Sequence, residues 1–185
     1  MSCATQLAAN ILVDCDTPLV RGVAPKYYLC HRSEIDIVTY AADGVTVSAF
    51  TMKSGKKLKQ YEGIRYSTKP SVGFSDSEYG STLPQTLELA IFSNGPIAKK
   101  EIHAMKGALD LVAIVQRNAG DWEMFGLQTG MRMSNFSQDA NDETQKGAYI
   151  VTLLADAATK LPYTLRHETT GVLDTDTFLA GLALT

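Results

Sequence analysis

Residues 84 to 154 constrain this chain more than any other stretch, because they lay out most of a sheet in order. Leu87, Leu89 and Ile91 alternate with Glu88 and Ala90, the period of a half-buried strand over residues 85 to 93. Asn94-Gly95-Pro96 then opens a helix over about 96–106, since proline at the first helical position gives up an N–H that would be unpaired there anyway. Ala98, Ile102 and Met105 recur at i, i+4 and i+7 as one apolar stripe, and Gly107 is expected to end the helix in the left-handed conformation. A helix of about ten residues is too short to stand alone and has to pack on a sheet. Leu109 to Arg117 is almost continuously apolar, which suits a central strand covered on both faces. Asn118-Ala119-Gly120-Asp121 is a hairpin turn. Trp122, Met124 and Gly126, then Met131 and Met133, continue with strand alternation. Ser137 to Gly147 is a polar loop, Ala148 to Ala155 a strong strand and Pro162 to Glu168 a further one.

The first half is less regular. Residues 1 to 26 have no clear period and contain Pro18, Gly22 and Pro25, so they read as an extended arm or edge-pairing segment. Strand signals begin at Tyr27-Tyr28-Leu29-Cys30. In Glu34 to Tyr40, Ile35 and Ile37 are expected on one face and Asp36 on the other. Ala42-Asp43-Gly44 supplies a hairpin turn, followed by Val45, Val47 and Ala49 alternating with Thr46 and Ser48. Lys53 to Lys57 reads as a solvated basic turn, because the glycine–lysine spacing of a phosphate-binding loop is missing. Leu58 to Ser67 has polar residues on both faces, which suits a sheet edge or a wet surface. Pro70 to Thr82, rich in Ser, Gly, Asp and Glu, reads as a loop of about a dozen residues, long enough to carry function. At the C-terminal end, Asp174 to Thr177 offers N-caps for a short helix over Phe178 to Leu184.

A chain of 185 residues fits one domain. It can bury about 70% of its unfolded surface without staples. The net charge of −3 gives no bulk attraction for nucleic acid. The first residues lack the basic segment of a signal peptide, and no apolar run approaches a membrane span, so assembly in a cytosol and no membrane partner are expected. Cys3, Cys15 and Cys30 form no Cys-x-x-Cys pair. Cys30 and His31 are adjacent and point to opposite faces of a strand, so they are not expected to share a metal, and the cysteines read as small apolar fillers or free thiols.

Chemistry-bearing patterns are missing. His103 falls beside the helix stripe, and His167 sits in the polar triplet Arg166-His167-Glu168; no histidine spacing signals a helical zinc site. No serine has the strand-to-helix setting of a nucleophile elbow. Asp76, Glu78, Asp139, Asp142 and Glu143 could supply a carboxylate pair, and the last three a calcium site, but all fall in loops without the spacing either task needs. Trp122, beside a turn, reads as a core or interface anchor ahead of a sugar-stacking residue. No catalytic residue, cofactor or metal is assigned.

The order of elements resembles that of phage tail tube proteins, in particular small virion proteins of phages of Bacteroidetes hosts. The resemblance spans residues 3 to 166. It rests on Asp14-Cys15-Asp16, Gly22, the Tyr27-Tyr28-Leu29 strand, Gly55-Lys56-Lys57 and Tyr61-Glu62. It continues with Thr86-Leu87-Glu88-Leu89, the Leu-Val-Ala-Ile-Val strand ending at Asn118-Ala119-Gly120-Asp121-Trp122, Phe125-Gly126-Leu127, Gly130-Met131-Arg132-Met133 and Gly147 to Leu153. The segment after residue 166 has no counterpart in it.

The resemblance implies a mainly β, α+β fold: an antiparallel β-sandwich or barrel of tail-tube type with one packed helix, to which this chain's own pattern adds an N-terminal arm over 1–26 and a C-terminal extension over 170–185. It implies a non-enzymatic virion protein whose copies join edge to edge into a ring, usually of six, with rings stacked around a channel for genome ejection. Other tail or portal-proximal proteins would be its neighbours. Double-stranded DNA would pass without sticking, because a weakly acidic wall holds no phosphates. On this reading the arm, the loops at 70–82 and 137–147 and the C-terminal segment meet other subunits, with Phe74, Tyr79, Trp122, Phe136 and Phe178 as candidate contact residues. A head-to-tail adaptor or head-completion protein stays open. So does a β-sandwich module binding glycan or host surface through Trp122, Tyr79 or loop carboxylates.

Overall fold

The computed structural model describes residues 21–64, 66–78, 80–143 and 146–184. The first twenty residues of the expected arm, with Cys3 and Cys15, lie outside the described residues, as does Tyr79. The fold is mainly β. Its strands are β1 (Val23–His31), β2 (Ile35–Tyr40), β3 (Thr46–Met52), β4 (Lys59–Glu62), β5 (Thr68–Val72), β6 (Ser75–Ser77), β7 (Gly80–Thr82) and β8 (Gln85–Ile91). After helix α1 (Pro96–Gly107) come β9 (Leu111–Arg117), β10 (Trp122–Phe125), β11 (Arg132–Gln138), β12 (Tyr149–Ala155), β13 (Tyr163–Leu165), β14 (Glu168–Thr169), β15 (Val172–Leu173) and helix α2 (Thr175–Leu182).

Two sheets carry the structure. The larger runs β2-β3-β13-β10-β9-β1-β4 and the smaller β11-β12-β8-β5. Among the described strands every pairing is antiparallel except β13 on β3. Between the sheets lies one apolar cluster, in which Tyr27, Ala113, Val115 and Phe125 of the larger sheet meet Leu87, Leu89, Val151 and Leu153 of the smaller. Ile102 and Met105 of α1 extend this cluster, so the helix stripe covers the side of the sandwich, as its period requires. A second cluster fills the opposite face of the larger sheet, where Tyr28, Val112, Ile114, Trp122 and Met124 are covered by Leu179 of α2. Residues of β9 therefore alternate between two cores, which explains its unbroken apolar run.

The ends of the larger sheet are drawn together. Only residues 53–58 join β3 to β4, which lie near opposite ends of the sheet order. Lys56 pairs with Glu34 at 2.9 Å across this link. The C-terminal segment locks the same corner: the Leu58 N–H donates to the Leu182 carbonyl and the Leu184 N–H to the Leu58 carbonyl, both at 2.9 Å.

Several expectations are corrected. Bulges in the β2–β3 pairing interrupt the alternation, since one extra residue resets which face a side chain takes. Ile37 is therefore exposed, while Val38 packs on the second cluster. On β3, Val47 and Phe50 are buried where Val47 and Ala49 were expected, and Val45 is exposed. Residues 70–82 are not one loop: they complete β5 at the edge of the smaller sheet and form the β6–β7 hairpin. These segments pair through backbone and need no apolar alternation. The strand expected up to Ser67 stops at Glu62. Residues 23–26, expected in the arm, already belong to β1. Gly107 is the last residue of α1 and is not left-handed; the chain turns extended at Ala108, whose N–H bonds the Met105 carbonyl. The polar stretch after residue 166 folds into the β14–β15 hairpin, and α2 begins at Thr175, earlier than expected.

Candidate functional site

The sheet edges are surfaces that could carry function. Among the described residues, β2, β4, β5 and β11 each pair on one side only. An unpaired edge is a template for another chain, and stable monomers blunt it with charge, proline or bulges. Three of the four are blunted: β2 is bulged twice, β4 is short and carries Lys59 and Glu62, and β5 carries Pro70. The fourth, β11, is seven residues long, Arg-Met-Ser-Asn-Phe-Ser-Gln, with one bulge and no proline. Its single charge, Arg132, sits at its first position and is paired to Asp156 at 2.7 Å. Six of its seven residues are exposed. Phe136 stands on this strand, 45% exposed, with its ring stacked on Tyr149 at 6.0 Å.

The other contact candidates fall in different places. Phe74 is 70% exposed at the base of the β6–β7 hairpin. Trp122 is buried: its ring meets Tyr28 at 5.7 Å, and its Nε1 donates to Asp176 Oδ1 at 2.7 Å, tying β10 to α2. Phe178 meets Phe50 edge-on at 5.4 Å and lies parallel to the His167 ring at 4.2 Å. Phe74 and Phe136 thus remain on the surface, whereas Trp122 and Phe178 spend their rings on internal packing and docking of α2. The four described candidates do not converge on one patch.

Two carboxylate–imidazole contacts were not foreseen, because each joins residues whose pairing depends on tertiary structure. His31 Nδ1 lies 2.6 Å from Asp110 Oδ1, and Asp110 also accepts the Ser33 N–H. Burial alone would raise the Asp110 carboxyl, but the hydrogen bonds from Ser33 and His31 outweigh it and hold the group at about 2. His167 Nδ1 lies 2.5 Å from Asp174 Oδ1, and Thr169 donates to the other oxygen. Hydrogen bonds from Thr169 and His167 hold Asp174 below the usual carboxylate range. His167, expected in an exposed triplet, is half-buried, and the Asp174 side chain, expected as a helix cap, is committed to this contact. The Cys30 thiol faces the second cluster, and burial, with Glu34 and Asp110 nearby, pushes it up to about 12.

Asp76 accepts the Ser81 hydroxyl within the hairpin, and Asp139 accepts the Asn141 N–H in its own turn. Among the described residues no group of three His, Cys, Asp or Glu side chains is arranged to hold a metal ion. No helix among them is long and apolar enough to cross a membrane. Comparison of the chain with protein-family models, with curated proteins and with solved structures returns no match.

Proposed function

We propose that this protein is a structural, non-enzymatic subunit that builds a ring in a phage tail, with the ring forming part of the channel through which the genome leaves. The observation that carries the reading is the outer edge of β11, long, exposed and almost uncharged, with Phe136 upon it. A neighbour's strand added there would satisfy the outward N–H and C=O groups and cover the aromatic ring. On this reading β11 meets a different edge of the next copy, a heterologous contact that closes into a ring when its rotation allows. The weak negative charge of the chain suits a passage for DNA, since fixed cations would retain phosphates. The tail-tube resemblance in the order of strands supplies the biological setting. The glycan-binding alternative loses its main anchor, because the Trp122 ring is buried.

Electron microscopy of the purified full chain over a range of concentrations tests the reading. Rings of uniform diameter, alone or stacked, are the expected outcome. Single particles of one chain's mass at every concentration overturn it.

A further inference from the structure

We infer that the mouth of the sandwich under β5 binds a small hydroxy acid, a molecule with one carboxylate and at least one hydroxyl. The inference goes beyond the proposed ring and does not depend on it.

Two cavities, of about 560 Å3 and about 790 Å3, open between β5 and the larger sheet and share Arg117 and Pro70 as walls. Small-molecule sites are of this size. Side chains directly opposite one another on paired antiparallel strands lie on one face. Thr68 pairs with Leu89 and Pro70 with Leu87, and both leucines belong to the cluster between the sheets. Thr68 and Pro70 therefore point inward. On the facing wall Glu123 stands opposite Val115 of the same cluster, and Arg117 lies two residues beyond Val115, so these two also point inward.

These walls carry unmet hydrogen-bonding capacity. Among the described residues three buried side-chain oxygens have no hydrogen-bond partner, and two of them, Thr68 Oγ1 and Glu123 Oε2, belong to this mouth. Thr68 is 4% exposed. The other oxygen of Glu123 lies 2.7 Å from Arg117 Nε. Buried polar groups are almost always paired, so two orphans flanking one cavity call for a partner that the chain itself does not supply. Their demands differ: the hydroxyl can donate, whereas an ionised carboxylate only accepts. One ligand meets both if it carries an oxyanion and a hydroxyl.

Charge points the same way. Arg21 lines the first cavity and forms no ion pair among the described residues. Its backbone is tied in place, because Asn118 Nδ2 donates to the Arg21 carbonyl at 2.8 Å. Lys69 borders the same cavity, but alternation along β5 turns it to the outer face, where it pairs with Glu88. Lys160 borders the far end of the second cavity, with its Nζ over the Tyr163 ring at 5.8 Å. At the junction, Arg21, Arg117 and Glu123 leave one net positive charge, which a single carboxylate balances. The guanidinium fork matches a carboxylate in shape as well as in charge. The carboxylate therefore meets Arg21, the free donors of Arg117 and the Thr68 hydroxyl, and a hydroxyl of the ligand donates to Glu123 Oε2.

Isothermal titration calorimetry of the full chain tests the site, with D-gluconate as probe and acetate, glycerol and inorganic phosphate as comparisons. D-gluconate should bind at least about tenfold tighter than acetate, which lacks the donor for Glu123, and glycerol, which lacks the charge, should give no saturable heat. Arg21→Gln and Thr68→Val should each weaken D-gluconate by about fivefold or more. Arg21 is exposed, and Thr68→Val removes only an unpaired hydroxyl, so circular dichroism and the melting midpoint without ligand should show no loss of fold in either. No saturable binding of D-gluconate at millimolar concentration overturns the site, as does wild-type affinity in both folded variants. Acetate or phosphate binding as tightly as D-gluconate overturns the assignment to a hydroxy acid.

Discussion

Gln85 holds the two sheets in register through Gly126. Its Oε1 accepts the Gly126 N–H at 2.8 Å in the buried space just beyond β10, while its Nε2 donates to the Lys160 carbonyl at 2.9 Å. The side chain is 2% exposed, and its contact with Gly126 is buried from water. Replacing Gln85 with leucine leaves the buried Gly126 N–H unpaired, at a cost of about 1–3 kcal/mol. Thermal unfolding of Gln85→Leu should show a midpoint lowered by roughly 2–12 °C for a chain of this size. A midpoint equal to wild type would mean that the sheets do not depend on this link.

Gly126 itself admits no side chain. Its φ is +75°, and an added Cβ would lie 2.4 Å from Met131 Cγ and 2.7 Å from the Leu111 carbonyl oxygen. Leu111 and Met131 exchange both backbone hydrogen bonds, so neither can retreat without breaking the bridge between β9 and the start of β11. Left-handed strain and overpacking together should cost Gly126→Ala about 2–5 kcal/mol in urea denaturation. Gly120→Ala is the control. Its φ is +102°, but nothing lies within 4 Å of the new atom, so only the backbone cost of about 1–2 kcal/mol should appear.

The hydroxyl of Tyr27 is buried without a hydrogen-bond partner, although its ring stacks on Tyr61 at 5.7 Å. Tyr27→Phe keeps the stack and removes an unsatisfied polar group. The variant should match wild type or gain up to about 1 kcal/mol, the reverse of the usual sign for a core substitution. A loss above that size in chemical denaturation would show that the hydroxyl has a partner.

Asp110 should give the fold a measurable acid limb. Its folded carboxyl sits at about 2, below an ordinary value of 3.8, so the folded state binds this proton more weakly than the unfolded state. The contribution is complete above about pH 4 and is lost as pH falls through 2. The His31 and Asp110 side chains are 43% and 36% exposed, so solvent screening limits the effect to about 1 kcal/mol or less. Stability measured between pH 4 and pH 2 should fall less steeply for Asp110→Asn than for wild type. Parallel curves would remove the carboxylate from the account.

How much of this was legible in the sequence follows from the range of each signal. Helix α1 was visible because Asn94-Gly95-Pro96 and the stripe Ala98, Ile102, Met105 are local. Strand β9 was visible because burial on both faces leaves an unbroken apolar run. The outward turn of Ile37 was not, since a bulge adds one residue without altering composition. Strand β5 and the β6–β7 hairpin escaped notice because edge pairing through backbone tolerates Ser, Gly and Pro on either face. For the candidate site, the exposure of Phe74 fits its polar neighbours, but the burial of Trp122 depends on α2, more than fifty residues later. The free edge of β11 depends on strand order, which no single segment encodes.

The central claim is that the unpaired edge of β11 is completed by an identical neighbour, and backbone hydrogen exchange tests it most directly. The outward amides of Arg132 to Gln138 should exchange freely in dilute protein and slow at least tenfold as concentration rises and assemblies form, while the amides of β9 stay protected throughout. Exchange along β11 that is equally fast at every concentration, with the mass of one chain, would contradict it.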